Sequence, residues 1–211
     1  MKKKSIWAVV AGVLWLTWWL NLFNFMDGID GLAAGEAIFL AAASAGICIF
    51  RGDPALGVIY LALTGASLGF LFYNWPPARI FMGDVGSGSL GFVTAALALI
   101  ADSRGAIPLS TSLLLLGAFF VDATYTVIRR GLAGERIMSA HRDHAYQHAA
   151  FASGHRRVTL GILAVCFFWL LPLALLSVGH PPWRWLLLFM AFVPLLWFEI
   201  RLKAGVRGSG A

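Results

Sequence analysis

The sequence predicts an all-α fold, a polytopic membrane bundle of about seven transmembrane helices. Three observations support this prediction: 60% of the 211 residues are hydrophobic, only 12% are charged, and the mean hydropathy is +0.80. A soluble domain has about 25% charged residues. The hydrophobic residues also fall into long runs, and runs of about 20 residues have the length that crosses a bilayer as a helix.

Segments rich in Gly, Pro or charged residues separate the hydrophobic runs and so define the helices in order. The predicted spans are approximately 5–22, 34–50, 55–74, 88–101, 109–128, 158–178 and 183–200. The second to fourth contain many small residues, Gly65 and Gly69 among them, which favours close helix packing in lipid. We expect a single transmembrane domain over 1–211, with one long polar loop at 129–157.

The distribution of basic residues predicts the orientation. Alternating spans put the loops at 23–33, 75–87 and 129–157 and the C-terminus on one side, which carries ten Lys and Arg residues against six on the other. The positive-inside rule makes the first side cytoplasmic, although the N-terminal lysine triplet falls on the other. Topology and anionic lipid account for the net charge of +6, so we expect membrane lipid, and not nucleic acid, as a partner.

The first candidate site follows the first hydrophobic run. Asn21, Asn24, Asp27 and Asp30 recur every three residues and therefore gather on one side of an α-helical or 3₁₀ segment. Acidic groups at the membrane edge are costly and usually functional. The alternative is that one of them caps the next helix. We favour a site for a cation and the polar end of a substrate.

The second candidate site joins a carboxylate to small residues. Arg79 precedes Asp84, and glycines and serines follow it over 86–91, where we expect a loop that opens a helix. The N–H groups of a helix N-terminus bind anions, and a neighbouring carboxylate can hold Mg²⁺ that bridges to phosphate. The alternative is an ordinary glycine turn capped by Asp84 or Ser87.

A single acid, Asp122, lies inside a hydrophobic span and should face the bundle interior, because a charge facing lipid is costly. It either takes part in the chemistry or pairs with Arg129 or Arg130, which follow it.

The long polar loop carries the remaining candidates, which are His141, Arg142, His144 and His148. Three histidines on one helical face could bind zinc. Arg and His together are better suited to phosphate. The alternative is a solvated surface loop.

Ligands suited to Mg²⁺, groups that bind phosphate and a membrane location together indicate phosphoryl transfer from a nucleotide-linked donor to a lipid acceptor. Three motifs occur in order, Asn-x-x-Asn-x-x-Asp-Gly-x-Asp-Gly-Leu, Phe-Met-Gly-Asp-x-Gly-Ser and His-Arg-x-His-Ala-Tyr-Gln. They resemble the polyprenyl-phosphate sugar-1-phosphate transferases, glycosyltransferase family 4, over nearly the whole chain. The third is most similar to the bacterial branch that initiates lipopolysaccharide O-antigen synthesis.

The resemblance implies roles for particular residues. Asn24 and Asp84 would hold Mg²⁺, with Mn²⁺ as the alternative ion, and Asp27 and Asp30 would line the nucleotide pocket. Catalytic roles would fall to Asp27, Asp30, Asp84 and His141, and donor contacts to Asn21, Asn24, Asp27, Asp30, Arg79, His141, Arg142 and His144. The donor would be a UDP-N-acetylhexosamine and the acceptor undecaprenyl phosphate, with UMP released at the cytoplasmic face of the bacterial inner membrane during cell-wall and envelope glycan synthesis.

One departure from the family changes the expectation for this chain. Family members carry an adjacent Asp-Asp pair on earlier transmembrane helices, and this sequence contains no Asp-Asp. We therefore expect a C-terminal, donor-binding part of the family fold that a missing N-terminal segment or a homodimer completes. The alternative is a catalytically incomplete membrane fragment or binding partner. A small transporter is disfavoured, because the polar groups lie at one membrane face and not at the midplane.

Overall fold

The computed structural model describes residues 2–135 and 142–206, and within these ranges it contains helices and turns but no strand. The helices are α1 (Lys2–Met26), α2 (Leu32–Phe50), α3 (Pro54–Asn74), α4 (Gly83–Ser103), α5 (Leu109–Leu115), α6 (Gly117–Leu132), α7 (Ala145–Ser153), α8 (His155–Val165), α9 (Leu171–Gly179) and α10 (Arg184–Arg201). A π-helical turn, Cys166–Leu170, joins α8 to α9. The predicted all-α class is confirmed.

Six helical segments in the described part of the chain are long and apolar enough to cross a membrane, and a bent pair raises the number to seven. Five of them are α1, α2, α3, α4 and α10, and the sixth is the continuous stretch 155–179. The prediction of a polytopic membrane bundle is therefore confirmed, with one difference in the fifth span.

The fifth predicted span, 109–128, is two helices that meet at an angle of 83°. Leu116 ends α5 and precedes α6. The next residue is Gly117, where an added Cβ would lie 3.1 Å from the Leu170 side chain. The glycine lets the bend pack directly against the helix that contains Leu170, and hydropathy alone does not reveal such a contact.

The helix predicted at 88–101 begins earlier, at Gly83, so the small-residue segment expected as a loop forms its first turns. Small residues let α4 pack closely on α1, since a Cβ at Gly91 would lie 2.7 Å from the Leu20 Cα. Trp19 Nε1 also donates to Thr94 Oγ1 at 3.0 Å. By contrast, a Cβ at Gly65 or Gly69 would have nothing within 4 Å, so no described residue packs closely on these two.

The connections gather at two ends of the bundle. At one end the α1–α2 turn, the start of α8 and the segment between α3 and α4 are in hydrogen-bond contact. At the other, Asp53 caps α3 and pairs with Arg104, with Arg104 Nη2 and Asp53 Oδ1 at 3.0 Å. These bonds hold the pKa of Asp53 below its usual value. The first end contains the predicted site residues.

We expect Gly91→Ala to destabilise the protein by about 1–3 kcal/mol, because the added methyl group must displace the α1 backbone. The thermal unfolding midpoint in detergent measures this. Gly88→Ala is the matched control, because its Cβ would lie 3.9 Å from the nearest atoms, those of the Leu20 side chain. Equal midpoints for the two variants would contradict the packing argument.

The orientation predicts opposite accessibility for two exposed positions, Ser103 and Arg142. A membrane-impermeant maleimide applied to intact cells should label Ser103→Cys but not Arg142→Cys, and both should react after permeabilisation. Cys48 and Cys166 are buried, and alanine replacements of both provide the background. Labelling of position 142 alone in intact cells would reverse the assigned orientation.

Candidate functional site

The Asn/Asp motif lies at the end of α1 and in the turn to α2. Asn21 and Asn24 belong to the last turns of α1, where Asn21 Nδ2 donates to the Thr17 carbonyl at 2.8 Å. Asp27 and Asp30 lie in the turn. The N-cap of α2 is Gly31, with φ of 76° and no side-chain hydrogen bond, so neither aspartate serves as that cap.

Asp30 connects this turn to two other parts of the chain. Its carboxylate accepts a hydrogen bond from the Ala78 backbone N–H at 3.1 Å and lies 3.3 Å from His155 Nδ1. Its carbonyl accepts a bond from Thr159 Oγ1 at 2.9 Å. The predicted site residue is therefore also a structural junction.

Asn74, which the sequence analysis did not select, makes a second connection at the same place. Its Oδ1 accepts from the Gly31 N–H at 2.9 Å, and its Nδ2 donates to the Ile80 carbonyl at 2.9 Å. Asn74 is buried at the end of α3. The only sequence signal for Asn74 was its place as a polar residue at the end of a hydrophobic helix, just before Trp-Pro-Pro.

Asp84 lies in the first turn of α4 and is exposed, and Met82 precedes that turn without a capping side-chain bond. Asp84 and Ser87 both lie inside α4 and so do not cap it. The Ser87 hydroxyl instead donates to the Gly83 carbonyl at 3.1 Å. Burial, followed by the charge of Asp84, raises the pKa of Asp27 to about 7, although a hydrogen bond from the Gly83 backbone opposes the shift. Two carboxylates from distant motifs thus lie close to each other.

A cavity of about 140 Å³ lies beside this pair. Its lining residues are Asp27, Gly28, Ile29, Asp30, Asn74, Phe81, Met82 and His155. Two of the predicted site residues, Asp27 and Asp30, line it. Phe81 and His155 are additional, and neither was selected from the sequence. Because pockets for drug-sized ligands begin near ~300 Å³, this cavity suits one part of a larger ligand.

Asp122 is buried and faces the bundle interior, as predicted. Its partner is not an arginine: Oδ1 lies 2.9 Å from His144 Nδ1, and Oδ2 accepts from the Tyr146 N–H at 3.1 Å. The Ala145 N–H and the Thr126 hydroxyl also contact Oδ1 at 3.3 Å. Asp122 therefore fixes the start of α7 to the bundle.

In the long polar loop, Arg142 is exposed and His144 is buried at the N-cap of α7. His148 Nδ1 lies 2.9 Å from the Leu202 carbonyl, so the described histidines have separate partners. His141 lies outside the described residues. A donor contact by His144 stays a prediction, and its bond to Asp122 favours a role in positioning the loop.

Tyr146 brings the loop and the Asn/Asp motif together. Its hydroxyl donates to the Phe25 carbonyl at 2.8 Å, and an added Cβ at Gly28 would lie 2.1 Å from the same hydroxyl oxygen. Burial, with smaller contributions from the charges of Asp122 and Asp27, raises the pKa of Tyr146 well above its usual value. Gly28 is therefore required for the close approach of a neutral tyrosine.

Asp27 and Asp84 fit a hard cation such as Mg²⁺, which is usually bound by one or two carboxylates together with water and substrate phosphate. In the described part of the chain, no three His, Cys, Asp or Glu side chains form a metal site. Asn24 lies one turn before Asp27 and is half-buried. The zinc alternative therefore has no support among the described histidines, whereas an oxygen-ligated cation suits these donors.

The fold and the site define a polytopic membrane protein with an acidic site at one end of its helices. Residues 1–102 match glycosyl transferase family 4. The resemblance identified from the motifs is confirmed, and over these residues the chain belongs to that family.

Curated relatives agree with the family assignment. A probable undecaprenyl-phosphate N-acetylglucosaminyl 1-phosphate transferase of Bacillus subtilis is 32% identical over 191 residues, 89% of this chain and 52% of the relative. A phospho-N-acetylmuramoyl-pentapeptide-transferase of Lactiplantibacillus plantarum is 38% identical over 137 residues, 63% of this chain and 41% of the relative. The chain spans about half the length of the curated relatives it matches.

We expect Asp122→Asn to loosen α7, because an amide oxygen cannot replace a carboxylate that accepts several bonds. The loss should be about 1–3 kcal/mol of local stability, the cost of disrupting a buried hydrogen-bonded group. Limited trypsin digestion after Arg142 measures it, and cleavage should be roughly tenfold faster or more. Thr126→Val, which removes only a 3.3 Å bond, is the control, and equal cleavage rates in all forms would contradict the anchoring role.

Proposed function

We propose that the chain is the donor-binding part of a Mg²⁺-dependent transferase that moves an N-acetylhexosamine 1-phosphate from a UDP-sugar to undecaprenyl phosphate. The observation that carries this proposal is a cavity lined by Asp27 and Asp30, where Asp27 also bonds the Gly83 backbone next to Asp84. The names of the relatives support phospho-sugar transfer as the reaction class. The proposed role is in cell-envelope glycan synthesis.

In this proposal Asn24 and Asp84 supply oxygen ligands to the cation, and Asp27 lies against them. When bound, Mg²⁺ offsets the charge of the donor diphosphate and of the developing transition state. The carboxylates hold that charge where α1 ends and α4 begins, and these two helices are packed firmly together. Asn21, whose amide bonds within α1, sits one turn further from the site and contributes its remaining polar group to donor binding.

The nucleotide is proposed to bind at Asp30. The Ala78 N–H fixes that carboxylate in place, so it is preorganised to accept hydrogen bonds from a ligand. Phe81 lines the same cavity and its side chain is 78% exposed. An exposed aromatic ring suits a planar base, because stacking on an aromatic side chain is worth about 1–3 kcal/mol per base.

Exposed arginines from two segments complete the proposed donor site. Arg79 precedes α4 and Arg142 precedes α7, and both are exposed. Guanidinium groups bind phosphate through paired hydrogen bonds. His141 and His144 follow as predicted donor contacts, with catalysis by His141 part of the proposal. The lipid phosphate attacks the phosphorus that bears the sugar, and UMP is the leaving group.

A catalytically incomplete membrane protein is the second candidate. The chain spans about half the length of its curated relatives, and the family resemblance places an Asp-Asp pair in the part that it does not match. The experiment must therefore supply the carboxylates that the family resemblance places upstream, either on a second polypeptide or by fusion. Function is best measured with the N-terminal half of the Bacillus subtilis relative co-expressed in the same membrane.

We expect Asp84→Asn to lower Mg²⁺-dependent UMP release in that system by about 10²-fold or more, because an amide replaces a charged oxygen ligand of similar size. Release is measured from a UDP-N-acetylhexosamine with undecaprenyl phosphate at limiting Mg²⁺.

The control is Asp102→Asn, an exposed aspartate at the opposite end of the bundle. An Asp84→Asn protein with the control's rate would remove the metal assignment. Absence of UMP release from every form, including the unmutated chain, would favour the second candidate.

A further inference from the structure

His155 begins α8 and lines the cavity, although it belongs to none of the three sequence motifs. Its side chain is 46% exposed, and it lies beside Asp30 at the wall of the 140 Å³ cavity. A histidine has two ring nitrogens with separate hydrogen-bonding capacity. One nitrogen can therefore bond to the protein while the other bonds to a ligand.

Nδ1 is used by the protein. It lies 3.4 Å from the Asp30 backbone nitrogen, whose N–H can donate to it, and 3.3 Å from Asp30 Oδ1, to which a protonated Nδ1 can donate. Nδ1 makes one of these bonds at a time, and in either case its partner is Asp30. No described residue makes a hydrogen bond to Nε2, and nearly half of the side chain is exposed.

The position of His155 is fixed by a row of contacts along α8. Thr159 Oγ1 donates to the Asp30 carbonyl at 2.9 Å. An added Cβ at Gly35 would lie 3.1 Å from the Leu163 side chain. Cys166 Sγ donates to Glu36 Oε2 at 3.2 Å, and the rings of Phe39 and Phe167 are 5.1 Å apart.

These contacts recur about every four residues and therefore form one face of α8 and the π-helical turn, packed against α2 and the turn before it. They hold α8 without help from a half-exposed imidazole at its first residue. His155 is therefore not needed to stabilise the packing of α8. What distinguishes His155 is an Nε2 atom, beside the cavity, to which no described residue bonds.

We propose that His155 is a nucleotide-binding residue, with Nδ1 held by Asp30 and Nε2 directed to the nucleoside end of the donor. This inference rests on the proposed function and adds a residue to it. The nucleoside end is favoured because His155 is bonded to Asp30 and shares the cavity with the exposed ring of Phe81. The phosphates belong with the cation proposed at Asn24 and Asp84.

The test measures the binding of UMP and of UDP to the full chain in detergent with Mg²⁺, by isothermal titration calorimetry. His155→Ala should weaken both nucleotides by the same factor, about 3- to 10-fold, the value of one hydrogen bond. His155→Asn keeps a polar atom near the Nδ1 position but none near Nε2, so it should bind as weakly as His155→Ala. His155→Gln reaches the Nε2 position and should recover affinity.

Control measurements separate the outcomes. His180→Ala removes an exposed histidine at the opposite end of the bundle and should leave affinity unchanged, and equal thermal midpoints establish that all variants are folded. Wild-type affinity in His155→Asn would overturn the proposal, because the ring would then only support Asp30. If the variants weakened UDP binding by a larger factor than UMP binding, the proposal would also be overturned, because His155 would then contact a phosphate. Failure of the unmutated chain to bind either nucleotide would instead remove the proposed function and this inference with it.

Discussion

The hydrogen bonds at Asp30 are the interaction on which the rest of the site depends. The Asp30 carboxylate accepts a hydrogen bond from the Ala78 N–H, the Asp30 backbone N–H contacts His155 Nδ1, and the Asp30 carbonyl accepts a bond from the Thr159 hydroxyl. Through one residue, the turn between α1 and α2 is joined to the segment before α4 and to α8. These parts are far apart in sequence, and Asp30 helps to hold together the segments that line the cavity.

The same constraint explains why so many polar side chains gather here. Turns at the end of a membrane bundle leave backbone N–H and C=O groups without helical partners, and leaving them unpaired away from water is costly. Asn74 satisfies Gly31 and Ile80, and Asp122 satisfies the first N–H groups of α7. These residues build the site's frame. Asp27 lines the cavity, and the charge of Asp84 acts on it.

Hydropathy and charge were sufficient to predict the helices and to put the motifs at one end, because membrane spans depend on local composition. The break at Leu116 was not predictable from local composition, because Gly117 packs against Leu170, a residue far away in the sequence. The start of α4 at Gly83 was missed because the glycines and serines over 86–91 are typical of a loop. Asp27, Asp30 and Asp84 were found because acids are rare in such a sequence. Phe81 and His155 were missed because an aromatic ring and a lone histidine are ordinary at helix ends.

Charge also links the two ligands of the proposed site. Asp27 and Asp84 repel each other and repel phosphate, and the raised pKa of Asp27 reflects that repulsion together with burial. In the proposed function, Asn24 and Asp84 would hold a divalent cation next to Asp27, and its positive charge would offset both the repulsion between the acids and the charge of the diphosphate. Because such coupling is reciprocal, the proposed function predicts that each ligand raises the affinity for the other by the same factor, and that Arg79 and Arg142 add to donor binding without replacing the cation.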